Sequence, residues 1–73
     1  MTVGEAIRAC RLAHGWSARA LSLRAGLSES VVGKIEAGSM EPSLRVFACI
    51  ARALELSPRE VAVLVCLAAS RDM

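Results

Sequence analysis

The amino-acid sequence predicts an all-α domain, a compact bundle of five helices, and three observations lead there. Between Ser17 and Gly38 two short helical patterns meet at a single glycine, Gly26. Capping residues at Thr2, Ser17, Ser28, Ser43 and Ser57 each precede apolar side chains spaced three and four apart. The chain is 55% hydrophobic yet has only Trp16 and Phe47 as aromatics, so its core must be Ala, Leu, Val and Ile, which suits closely approaching helices. At 73 residues the whole span 1–73 reads as one domain, near the lower size at which a single core holds without disulfides or partner subunits.

Thr2 and Glu5 make a capping box for the first helix, which turns Val3, Ile7 and Cys10 inward and closes at His14 and Gly15. His14 is well placed against the helix dipole, and Trp16 is expected to pack over the corner between the first two helices. The second helix is capped by Ser17 and carries Leu21 and Ala25 inward. Ser22 is small where two helices cross, Gly26 supplies the left-handed turn, and Leu27 fills the corner. The third helix is expected over 28–37, capped by Ser28, with Val32 and Ile35 buried and Glu29, Ser30, Gly33 and Lys34 facing away.

After Gly38, the loop Ser39-Met40-Glu41-Pro42 leads to Ser43, the cap of a fourth helix expected to bury Leu44, Phe47, Ile50, Ala51 and Leu54. Val46, Cys49 and Ala53 form a second apolar stripe that the domain core does not explain. Ser57-Pro58-Arg59-Glu60 is another capping box with proline at the first helical position. The helix it opens, 58–69, is apolar around its whole circumference, more than a small domain can bury alone. It is therefore expected to be a dimerisation helix, with contacts among Val61, Leu64, Val65 and Leu67 joined by Val46, Cys49 and Ala53. The last residues, from Ser70 to Met73, are expected to fray.

Several function classes are disfavoured. The formal net charge of +2 argues against non-specific coating of nucleic acid, and two aromatics offer no platform for stacking single-stranded bases. Thr2–Ala13 is amphipathic where a secretory segment would be apolar, and the longest apolar run, 61–69, is too short to cross a bilayer core of ~30 Å. A soluble, cytoplasmic protein with no membrane partner is expected. Cys10, Cys49 and Cys66 are odd in number, widely spaced and without metal-ligand spacing, so they read as reduced, small hydrophobes. No nucleophile–base pair is legible: His14 is the single histidine, and the serines sit at caps. Neither an enzyme nor a cofactor, metal or small-molecule ligand is expected.

The glycine-cornered pair is a helix-turn-helix, whose second helix is shaped to enter the major groove of DNA. From Ile7 to Leu56 the chain resembles the Cro/repressor-type (Xre-like) helix-turn-helix family. The resemblance rests on Arg11-xxx-Gly15-Trp16-Ser17, Leu21, Gly26-Leu27-Ser28, Ile35-Glu36-xx-Gly38, Pro42-Ser43-Leu44 and Ile50-Ala51-xx-Leu54. It implies the lambda-repressor-like five-helix architecture, sequence-specific binding of double-stranded DNA, and a homodimer that regulates transcription from a near-palindromic operator.

On that resemblance Glu29, Ser30, Gly33 and Lys34 occupy the base-reading positions. Lysine can donate to guanine O6 and N7 and glutamate can accept from the cytosine amino group, which points to G·C preference. Gly33 inside a helix costs about 1 kcal/mol relative to alanine, a cost that close approach to DNA would justify. Phosphate contacts are expected from Ser17, Arg19 and Ser28, and from Ser39 and Arg45 beyond the recognition helix. Arg11 and Glu36 match positions that form an ion pair between the first helix and the end of the recognition helix. The sequence departs from the family at Ala18, where a phosphate-binding glutamine is common, and at Met40 and Glu41, in a loop that is often basic. Those departures keep a second reading open, an antitoxin-like or adaptor module that retains the bundle with weak or lost DNA binding.

Overall fold

The structure, a computed structural model, describes residues 1–70. It contains α1 (Val3–Ala13), α2 (Ala18–Arg24), α3 (Val31–Glu36), α4 (Leu44–Ala53) and α5 (Pro58–Ser70), and no strand among the described residues. Ser70 lies inside α5, and the expectation for 71–73 falls outside the described residues.

Local chemistry sets the ends of these elements. In the capping box of α1, Thr2 Oγ1 accepts from the Glu5 N–H at 3.1 Å while Glu5 Oε1 accepts from the Thr2 N–H at 2.9 Å. Ser57 and Glu60 repeat the arrangement at α5, at 3.2 and 3.0 Å. These bonds hold both carboxyls below the ordinary glutamate range, because the capped N–H groups favour the charged form. Ser17 and Ser43 accept from the N–H groups of Ala20 and Val46.

At the C-terminal ends one device recurs. After α2, the Leu27 N–H donates to the Ser22 carbonyl and the Gly26 N–H to the Leu23 carbonyl, with Gly26 at φ +74°. The same pair of bonds ends α1 at Gly15 and α3 at Gly38. At α4 the left-handed position is taken by Glu55, at φ +55°, where no glycine marks the stop in the sequence.

The core gathers Val3, Ala6 and Ile7 of α1, Leu21 of α2, Val32 and Ile35 of α3, Phe47 and Ile50 of α4 with its cap Leu54, and Leu64 of α5. Trp16 is half-buried against it, stacked on the His14 ring at 4.4 Å with the Arg24 guanidinium 4.3 Å from its ring centre. His14 Nε2 donates to the Leu54 carbonyl at 3.2 Å, tying the end of α1 to the end of α4.

Three expectations for the apolar surface are corrected. Leu44, expected in the core, is 82% exposed at the first residue of α4, while Val46 and Phe47 of the same turn face the core. Val46 and Ala53 of the second stripe are half-buried and pack on the core of the same chain, and Cys49 is half-buried beside them. Leu64, expected on a dimer surface, is only 4% exposed. One stripe of α5 (Val61, Leu64, Leu67 and Ala68) turns toward the domain while Val63 and Val65 stay outside, the latter 46% exposed. An all-apolar helix carries no periodic signal for which side faces in, so only packing against α1 decides it.

Candidate nucleic-acid interface

The exposed surface of interest is built on α2, the turn 25–30 and α3. Ser22 is the central positioning residue. It is fully buried, its Oγ–H donates to the Ala18 carbonyl at 2.9 Å, and its Oγ accepts from the Val32 N–H at 3.0 Å. A side chain of α2 therefore caps α3 from across the turn. Ser28 does not cap it. The helix begins at Val31, its N-terminal flank Ser30 makes no side-chain cap bond, and only the Ser28 carbonyl contributes, accepting from the Val31 N–H at 3.1 Å. This helix is thus 31–36 preceded by a turn, shorter than the expected 28–37. The buried Ser22 hydroxyl instead satisfies the Val32 N–H, an otherwise orphaned donor of the first turn.

The other end of α3 is held by Arg11. Its Nε and Nη2 donate to Glu36 Oε2 and Oε1 at 2.8 and 2.9 Å, and Nη1 donates to the Trp16 carbonyl at 2.8 Å. The two side chains are about one-tenth exposed, at 11% and 10%. The Glu36 carboxylate raises the Arg11 pKa further above its already high value. With all three guanidinium nitrogens engaged, the end of α3 is fixed to α1 and to the Trp16 corner.

Gly4, which sequence reasoning passed over, sets how closely α3 lies on α1. A Cβ at that position would stand 2.6 Å from the Ile35 carbonyl oxygen and 3.1 Å from Glu36 Cα, both backbone atoms. Its legible signal was a glycine in the first turn of a well-capped helix. Gly33 is different: nothing lies within 4 Å of a Cβ built there, so the protein's own packing does not require glycine.

The remaining site residues fall as follows. Glu29 and Ser30 are exposed in the turn before α3, and Lys34 is exposed in its last turn with no carboxylate partner among the described residues. Arg19, in the first turn of α2, donates through Nε to Glu29 Oε2 at 3.0 Å, a pair that sequence reasoning did not foresee. Ser17 Oγ is used as the α2 cap, and Ser39 Oγ donates to the Lys34 carbonyl at 3.2 Å, closing α3. Arg45 is exposed in the first turn of α4. Burial pushes the Cys10 thiol up, with the Glu60 charge adding to it, which disfavours the thiolate. The described cysteines form no disulfide, and no group of three potential metal ligands occurs among the described residues.

A short helix pinned at both ends with its outer face bare, on a glycine-cornered partner, defines a helix-turn-helix domain. The helix-turn-helix family model matches residues 7–61, and the chain belongs to that family, of the Xre/Cro-like type. It is similar to an uncharacterised HTH-type transcriptional regulator, y4dL, of Sinorhizobium fredii, with 44% identity over 54 residues covering 74% of this chain. The chain spans 28% of that relative's length. No solved structure matches it. Among the described residues no helix is long and apolar enough to cross a membrane.

Proposed function

We propose that this domain is a sequence-specific, double-stranded DNA-binding transcriptional regulator that reads a near-palindromic operator as a cytoplasmic homodimer. One observation carries the reading: α3 is locked at its start by Ser22 and at its end by Arg11, while Glu29, Ser30, Gly33 and Lys34 face outward around it. A helix held this firmly, with its outer face unused by the protein, can enter a major groove without losing further conformational freedom. Ser30 and Lys34 are assigned to base edges, and Arg19, Arg45 and the Ser17 and Ser28 hydroxyls to the sugar-phosphate wall. The relative's description as a transcriptional regulator supports the same reading.

Dimerisation uses the part of α5 that the domain leaves outside. Val63, Val65 and Cys66 are exposed on a helix that has no charged residue from Val61 to Ala69. Pairing of that face would set two recognition helices about one DNA turn apart, roughly 34–36 Å. Selection of bound duplexes from a random-sequence pool, followed by mobility shifts at low and moderate salt, tests the function. A recurrent two-fold-symmetric site is expected, with Lys34→Ala weakening that site more than unrelated duplex. Val65→Glu, which leaves Leu64 in its core position, should yield folded monomers by sedimentation. Absence of a shift on any duplex would favour the protein-interaction reading.

A further inference from the structure

Two arginine–glutamate pairs flank the recognition helix, and they are built oppositely. Arg11 uses Nε, Nη1 and Nη2 and is largely shielded, so its pair with Glu36 is a fixed strut. Arg19 makes a single bond, Nε to Glu29 Oε2, from side chains 69% and 63% exposed. Its two terminal nitrogens meet no acceptor among the described residues, so the part of the guanidinium best suited to a phosphate is open there.

The position adds a reason for exchange. Arg19 is the second residue of α2, where the helix dipole mildly disfavours a cation and a neighbouring anion offsets that. In the free domain that anion is Glu29. An exposed, singly bonded pair of this kind is held weakly, by the equivalent of about 5-fold or less in an equilibrium constant. A phosphate diester can take its place and accept from both terminal nitrogens.

We propose that Glu29 is an internal competitor for the DNA backbone rather than a reader of bases. It occupies Arg19 until a phosphate displaces it, and this lowers affinity for every duplex while leaving the base contacts of Ser30 and Lys34 untouched. Glu29 thereby weakens the sequence-independent part of binding by one common factor: the ratio of operator to unrelated duplex is unchanged, while occupancy of every site comes to depend more on the base contacts. The inference rests on the DNA-binding reading above.

The test compares the full chain with Glu29→Gln, Arg19→Ala and the double variant, on the selected operator and on an unrelated duplex, across a salt series. Both single-variant surfaces are exposed, so folding is expected to be intact and is checked by thermal melting. Glu29→Gln should tighten both duplexes by the same factor, about 2- to 5-fold, and that gain should vanish in the Arg19→Ala background. In the free protein, Glu29→Gln should shift the Arg19 Nε–H proton resonance and leave that of Arg11 in place. Weakened binding confined to the operator would overturn the proposal in favour of base reading by Glu29, with DNA binding intact. A gain that persists without Arg19 would overturn it as well, since Glu29 would then act only through net charge. Loss of all duplex binding in the wild type, with the Arg19 resonance still responding, would remove the DNA-binding reading and this proposal with it.

Discussion

Replacing Ser22 by alanine removes a single oxygen from the centre of the helix-turn-helix, and its effect can be worked out from the two bonds that oxygen makes. The Val32 N–H loses its acceptor at 3.0 Å in a place where water cannot substitute, because Val32 and Ser22 are both fully buried. An orphaned buried donor costs about 1–3 kcal/mol, and the lost bond to the Ala18 carbonyl adds to it, so about 2 kcal/mol is expected. A chain of this length has a total stability of about 4–11 kcal/mol at ~0.05–0.15 kcal/mol per residue. The variant should therefore fold but melt about 8–16 °C lower, at ~4–8 °C per kcal/mol for a domain this small. Circular dichroism melts give the global value. Hydrogen exchange at the Val32 amide gives the local one, which should lose protection beyond what the lower global stability accounts for. A loss under ~0.5 kcal/mol with Val32 protection unchanged would refute the cap, meaning that α3 finds its donor's partner elsewhere.

Other substitutions probe the remaining supports of α3. Gly4→Ala should destabilise by about 2 kcal/mol or more in denaturant titrations, because its Cβ meets backbone atoms of Ile35 and Glu36 that no rotamer change can move. Gly33→Ala should do the reverse, stabilising the free domain by up to about 1 kcal/mol while weakening operator binding, since the open space at Gly33 belongs to the DNA under the proposed docking. Arg11→Ala should cost about 3 kcal/mol by leaving the Glu36 carboxylate without its partner in a shielded place. In a double-mutant cycle, Arg11→Ala with Glu36→Ala should cost less than the sum, and strict additivity would show that the pair does not interact. Acid should loosen α1 and α5 at their first turns. Glu5 and Glu60 have lowered folded-state pKa values, so their stabilisation is complete above the ordinary carboxyl value of 4.5 and disappears as pH falls through the lowered one. Thr2→Ala and Ser57→Ala should flatten that part of the stability–pH profile.

The sequence by itself determined most features whose cause lies within a few residues, the left-handed stop at Glu55 being an exception. The capping boxes at Thr2–Glu5 and Ser57–Glu60, the caps at Ser17 and Ser43, and the left-handed stops at Gly15, Gly26 and Gly38 each close a ring of backbone and side chain spanning three to five positions. Such rings leave a signature of residue types at fixed spacing, which is why five helices were legible even though the expected cap at Ser28 does not form. The inward residues Ile7, Leu21, Val32, Ile35 and Ile50 followed from the helical period alone. The Arg11–Glu36 pair, 25 positions apart, came through the family resemblance and not through any local rule.

Tertiary structure decided whatever depends on which surfaces meet. The helix expected to start after Ser28 starts at Val31, and Ser22, ten positions before Val32, supplies a cap from another helix. Leu44 went to the surface and Leu64 to the core because apolar character says that a side can be buried, while only the neighbouring helix says which side is. Gly4 looks like an ordinary helix residue until the backbone of α3 lies against it. Arg19 and Glu29 read as two separate DNA contacts in a row of letters, and the turn at Gly26 folds one onto the other. Local rules act through hydrogen bonds along the chain, whereas these choices are made by packing between segments, where close contact admits only one arrangement.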